Sequence, residues 1–234
     1  EAWFRVRSLC FENLQDANCE LRATRYEPMT RVKICGITSA DDAMLAASLG
    51  ASALGFIFFK KSQRFVSPYK AKKIIGELPP FVTPVGVFVN QKEGAVRDIA
   101  EFCGLQSLQF HGEETPAYCR RFNRYKVIKA FRVKPDFDVA AVREYRPVVS
   151  AFLFDTYRED TRGGSGKTFN WKLIAKAKDF GRPVILSGGL TADNALNAIN
   201  EIFPYAIDLS SGVEESPGKK SRQALENFFA KIFS

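Results

Sequence analysis

The chain of 234 residues has one histidine, two tryptophans and five cysteines, and no two of those cysteines sit in metal-ligand spacing. An odd set of scattered thiols offers no metal site and no disulfide framework, and fits a reducing cytosol. No apolar run approaches the roughly 18 residues that a membrane-spanning helix needs, so no membrane partner is expected. Long runs of one charge are also missing. The formal net charge is +8, but the lysines and arginines are dispersed in short clusters such as Lys60-Lys61 and Lys219-Lys220. A groove-reading protein gathers its basic residues on one face among stacking aromatics, so nucleic acid is not expected as a partner. The surplus fits attraction of an anionic substrate.

Residues 1–30 lack sustained periodicity, and they lack the basic start, apolar run and cleavage site of a secretory signal. Their acidic residues argue against an organelle transit peptide. The expectation is a poorly ordered extension over 1–30, with Met29 a possible biological start, and one domain over 31–234.

From Arg31 the texture alternates. Apolar, β-rich runs fall at Val32–Ile37, Ala53–Phe59, Pro84–Val89, Ser107–His111, Lys126–Phe131, Ala151–Thr156, Pro183–Ser187 and Ala206–Ser210. Stretches of helical spacing lie between them, among them Asp41–Leu49, Tyr69–Leu78 and Asn194–Ile202, and Ser221–Ile232 closes the chain. Helix starts are marked by Thr38-Ser39 before Asp41 and Asp42, by Ser67-Pro68, and by Thr191 with Asp193. Eight strand–helix units of about 25 residues each match a single-domain α/β fold, the (β/α)₈ TIM barrel, at the small end of its range. A doubly wound sheet would carry G-x-G-x-x-G after its first strand; Cys35-Gly36-Ile37-Thr38 stands there instead.

Active sites of such barrels lie at the C-terminal ends of the strands. Residues two apart on a strand share a face, so Lys33 with Cys35, Gln109 with His111, and Asp208 with Ser210 can converge on one mouth. Asp155 ends the sixth strand there. Glycine-rich turns follow strands seven and eight, at Gly188-Gly189 and Ser211-Gly212, and a third run, Gly163–Thr168, follows strand six. Such loops either make tight turns or let backbone N–H groups approach phosphate oxygens. Taken singly, Cys35 equally fits a small buried hydrophobe, Asp155 a satisfied buried carboxylate, and His111 a cap on the barrel core.

Together the motifs resemble a known family. Val32-Lys33-Ile34-Cys35-Gly36-Ile37-Thr38, Gly86-Val87-Phe88-Val89-Asn90, Gln109-Phe110-His111-Gly112-Glu113-Glu114 and Phe154-Asp155-Thr156 look like motifs of the phosphoribosylanthranilate isomerases of tryptophan biosynthesis. So do Gly163–Trp171, Leu186-Ser187-Gly188-Gly189-Leu190 and Asp208–Glu214. The resemblance runs from Arg31 onward and departs only in a missing proline after the aromatic of Phe59–Arg64. It implies an Amadori rearrangement of N-(5′-phosphoribosyl)anthranilate by general acid–base catalysis, in a cytoplasmic monomer or homodimer with no cofactor and no metal. It implies Cys35 as base, Asp155 as acid and Arg64 as holder of the anthranilate carboxylate. Lys33, Gln109, His111 and Asp208 would contact substrate, and Ser165, Gly166, Gly188, Gly189, Ser211 and Gly212 its phosphate. Lys33 is expected to lower the Cys35 pKa; at Asp155 an apolar setting would raise the carboxyl pKa and a nearby Lys33 or Lys167 would lower it, the direction depending on which is closer. The aminosugar isomerase of histidine biosynthesis would instead want two aspartates. A catalytically silent barrel would not need Cys35, Asp155 and Arg64 together.

Overall fold

The computed structural model describes residues 30–134, 137–156, 174 and 180–233. Eight strands pair in parallel and in sequence order, and the eighth closes on the first. They are β1 (Arg31–Cys35), β2 (Ala53–Ile57), β3 (Thr83–Phe88), β4 (Ser107–Phe110), β5 (Lys126–Val133), β6 (Ala151–Thr156), β7 (Val184–Ser187) and β8 (Ala206–Leu209). Between and after them lie α1 (Ala40–Ser48), α2 (Pro68–Gly76), α3 (Glu93–Cys103), α4 (Pro116–Arg120), a 3₁₀ segment (Val139–Val148), α5 (Ala195–Ile202) and α6 (Arg222–Ile232). A short antiparallel hairpin, β9 (Glu214–Ser216) with β10 (Lys219–Lys220), follows β8. This is the (β/α)₈ barrel that the alternation predicts. Among the described residues no helix is long and apolar enough to cross a membrane.

Local chemistry sets the helix starts. The Ser39 and Ser67 hydroxyls accept hydrogen bonds from the amides of Asp42 and Lys70, and Pro68 occupies the first helical turn, where its missing N–H is harmless. At Thr191 the expectation shifts by a few residues. Asn194 turns its side chain back to Thr191 N (2.8 Å) and Gly189 O (2.9 Å), so the helix begins only at Ala195.

A parallel barrel buries both faces of every strand, which is why the strands read as continuous apolar runs. One face packs outward under the helices, where Ile34, Leu54, Phe56, Phe88, Phe110, Phe152 and Phe154 are fully buried. Each phenylalanine removed from water there contributes about 1.5–3 kcal/mol. The other face fills the lower barrel with Val85, Ile128, Ala130, Ala151, Leu153, Ile185 and Ala206. Towards the C-terminal ends the inward positions turn polar: Cys35, Gln109, Arg132, Asp155, Ser187 and Asp208 all face one cavity.

One charged pair lies outside that interior. The Lys129 and Glu114 side chains are each 2% exposed and meet at 3.1 Å. Lys129 Nζ also donates to the carbonyls of Gly112 (2.7 Å) and Ala130 (3.0 Å), while Glu114 accepts from the amides of Asn90 (2.7 Å) and Gly112 (2.9 Å). Burial pulls the Lys129 pKa down and Glu114 opposes it. The pair is satisfied on both sides, as a buried ion pair must be, and it fixes the turn that carries His111.

Candidate active site at the barrel mouth

The cavity at the C-terminal ends of the strands holds about 360 Å³. Its walls include Cys35 from the end of β1, Arg64 from the loop after β2, and Gln109 and His111 from the end of β4. Asp155 from β6 and Asp208 and Ser210 from the end of β8 complete the polar wall. Gly188 and Gly189, and Ser211 and Gly212, form its rim after β7 and β8. Lys33 does not line the cavity. It lies just beneath, where the β1–β8 register sets it opposite Asp208, and its ammonium donates to Asp208 Oδ1 at 2.8 Å with both side chains buried. Ser165, Gly166 and Lys167 lie outside the described residues.

Small residues make this geometry possible. Gly55 faces Cys35 across the β1–β2 register, and a Cβ there would stand 2.6 Å from the Cys35 sulfur. Gly212 brings the two rim loops together: a Cβ on it would lie 2.0 Å from the Leu190 carbonyl oxygen. Gly188 and Gly189 both hold positive φ, at 95° and 61°, which a side chain would resist.

Two settings differ from expectation, those of the Cys35 thiol and the Asp155 carboxyl. Burial pushes the Cys35 thiol pKa up and Asp208 adds to it; Lys33 pulls it down, as expected, and Lys220 with it, but burial outweighs both. Lys33 is itself held by Asp208, a pairing that keeps the ammonium charged in spite of its burial. The Asp155 carboxyl is not in an apolar setting. Its side chain is 32% exposed, and Oδ2 lies 3.2 Å from His111 Nε2. The Arg64 guanidinium is held by Glu214. Its Nε lies 3.0 Å from each Glu214 carboxylate oxygen, and Nη2 lies 2.7 Å from Oε2.

His111 is set between two partners. Gln109 Nε2 approaches Nδ1 at 3.1 Å, and Asp155 Oδ2 approaches Nε2. Both ring nitrogens are thus engaged, with the donor at each contact set by the tautomer. Two buried oxygens facing this region, Gln109 Oε1 and Ser210 Oγ, have no hydrogen-bond partner among the described residues.

Sequence reasoning passed over Glu214, Arg132 and Lys220. Lys220 Nζ, fully buried, donates to the Cys35 carbonyl (2.6 Å) and to Glu214 Oε1 (2.8 Å). Arg132 pairs with Asp155 in the β5–β6 register and lines the cavity, with no ion-pair partner among the described residues. Two-residue alternation from Ile128 and Ala130 would have placed it inward. Nothing local in the sequence marks Glu214 as the partner of a residue 150 positions earlier.

Closed parallel barrel, glycine rim and a mouth carrying a thiol and carboxylates define an enzyme of the (β/α)₈ class with its site at the strand ends. Comparison with known proteins narrows this. Residues 32–231 match the family model for N-(5′-phosphoribosyl)anthranilate isomerase. A relative of that name from Geobacter sp. (strain M21) is 49% identical over 203 residues, covering 87% of this chain and 98% of the relative. The solved phosphoribosylanthranilate isomerase of Thermotoga maritima superposes with a TM-score of 0.81 at 44% identity, covering 88% of this chain and 99% of that one. A second such structure, in complex with reduced 1-(o-carboxyphenylamino)-1-deoxyribulose 5-phosphate, gives 0.79 at 41% identity over 88% and 99%. The chain belongs to the N-(5′-phosphoribosyl)anthranilate isomerase family.

Proposed function

We propose that this chain converts N-(5′-phosphoribosyl)anthranilate to 1-(2-carboxyphenylamino)-1-deoxyribulose 5-phosphate, with Asp155 as general acid and Cys35 as general base. One observation carries the assignment of roles: a thiol and a carboxyl, from strands three places apart around the barrel, line one cavity. Asp155 gives a proton to the furanose ring oxygen, and the C1′–O bond breaks as the nitrogen lone pair forms the imine. The Cys35 thiolate then takes the C2′ proton, and the released electron pair gives an enolamine. Return of that proton to C1′, with loss of the C2′ hydroxyl proton to the Asp155 carboxylate, yields the ketone. Both groups end as they began, and atoms and electrons balance without any co-reactant. His111, 3.2 Å from Oδ2, holds the Asp155 carboxyl at the cavity wall.

Arg64 takes the anthranilate carboxylate and Asp208 a hydroxyl or amino group of the substrate. The loops bearing Gly188, Gly189, Ser211 and Gly212, with Ser165 and Gly166 after β6, hold the phosphate. The +8 charge favours arrival of this anionic substrate. The buried free thiols Cys35, Cys103 and Cys119 suit a reducing, cytosolic compartment, in which the chain acts as a monomer or homodimer. The test is turnover: purified protein is mixed with N-(5′-phosphoribosyl)anthranilate and its fluorescence followed. A signal that decays no faster than without protein refutes the proposed reaction.

A further inference from the structure

Glu214 and Arg64 form an unequal pair. The carboxylate side chain is 4% exposed and the guanidinium side chain 24%, so the acid is the fixed member and the base reaches into the cavity. Lys220 and the Gly218 amide (3.3 Å) fix the acid in turn. Lys220 is anchored to the carbonyl of Cys35, and its own amide donates to Asp42 at 3.1 Å. The β9–β10 hairpin is therefore a strap over the end of β1, with Glu214 at its root.

A guanidinium has two edges that can meet a carboxylate in a fork: Nε with Nη2, and Nη1 with Nη2. Glu214 occupies the first. Nη1 has no partner among the described residues, so the second edge is left open. Arg64 and Lys220 share the single carboxylate of Glu214. Without Glu214 the arginine would keep its charge but lose its orientation, and it would face the buried ammonium of Lys220 unscreened.

We propose that Glu214 is a positioning residue for substrate recognition, holding Arg64 by one edge so that the other meets the carboxylate ortho to the substrate nitrogen. The proposal rests on the reading of Arg64 given above. It makes the selectivity for a carboxylated aromatic amine depend on a residue that never touches the substrate.

The experiment uses two substrates, N-(5′-phosphoribosyl)anthranilate and N-(5′-phosphoribosyl)aniline, which lacks the carboxylate. Glu214→Gln should raise KM for the first by about tenfold or more, the scale of one lost charge-assisted hydrogen bond, and change kcat only a few-fold. On the aniline substrate wild type and variant should agree within about twofold. Arg64→Ala should lose at least as much on the carboxylated substrate, and adding Glu214→Gln to it should widen the gap between the two substrates no further. Glu214→Asp keeps the charge that Lys220 needs but withdraws the carboxylate by one methylene. It supplies the same reading if the glutamine variant fails to fold. Equal loss on both substrates, or no loss on either, overturns the proposal. Wild-type protein that is inert towards the carboxylated substrate refutes the proposed reaction instead, so the two failures are distinct.

Discussion

Adding one methyl group inside the barrel tests whether the Cys35 sulfur is a positioned reagent. Gly55 lies on β2 opposite Cys35, and a Cβ there would stand 2.6 Å from Sγ, 3.1 Å from the Cys35 Cα and 3.1 Å from Lys33 Nζ. Ordinary non-bonded contact begins near 3.5–4.0 Å, so the sulfur must retreat by about 1 Å. Its backbone cannot follow freely, because β1 is hydrogen-bonded to β2 and β8 on either side. The glycine's φ is not in the left-handed region, so backbone strain does not confuse the result. Overpacking of this kind destabilises by about 1–3 kcal/mol, which for a domain this size lowers Tm by roughly 2–4 °C per kcal/mol. Misplacing a reacting atom by about 1 Å reduces turnover by as much as ~10²-fold. Gly55→Ala is therefore expected to stay folded at 25 °C while kcat falls by one to two orders of magnitude. The assay is substrate fluorescence, with a thermal melt on the same sample. A folded Gly55→Ala that retains half the wild-type kcat would show that the sulfur's position is not what limits the reaction.

Three further outcomes are expected. Cys35→Ser should keep its fold and lose about 10²-fold or more in turnover, as removal of a positioned base does. In the wild type, kcat/KM should rise with pH, because the thiol must ionise to act, with a midpoint above the usual thiol range, since burial pushes this pKa up; a midpoint below that range would count against Cys35. Asp155→Asn keeps shape but has no acidic proton, so kcat should collapse while affinity for the reduced product analogue stays within a few-fold, and full activity would move the test to Asp208. Removal of residues 1–28 should leave activity intact and Tm within about 5 °C, whereas a larger fall, of the order of 1–2 kcal/mol, would mean that the segment docks on the barrel.

Much of the architecture was legible because a parallel barrel is written locally. Runs such as Phe152-Leu153-Phe154 are apolar throughout since both faces are covered, and all eight strands lie where those runs occur. Several strand ends were read one or two residues long, as at His111 and Ser210, because the mouth residues continue the extended texture after pairing stops. The site's composition was legible too, from two-residue alternation and the rule that chemistry sits at strand ends. Its electrostatics were not. Lys33 does pull the Cys35 pKa down, but burial in the closed barrel outweighs it and Asp208, brought close by β8, adds to the burial, and no window of sequence contains all three. Glu214 was visible within a motif, yet its meaning depends on Arg64, Lys220 and the carbonyl of Cys35 meeting in space.

The Lys33–Asp208 pair joins residues 175 positions apart, and the bond from Lys220 to the Cys35 carbonyl joins residues 185 apart. On a ribosome these partners are made at opposite ends of the task. Until the last strand and the hairpin emerge, β1 has only one neighbour, Lys33 lacks its counter-ion and Arg64 its clamp. Contacts of such sequence separation form late and slowly. A shortened nascent chain thus holds most of the barrel and none of the finished mouth. Competence to react therefore arrives only once β8 and the β9–β10 hairpin have been made.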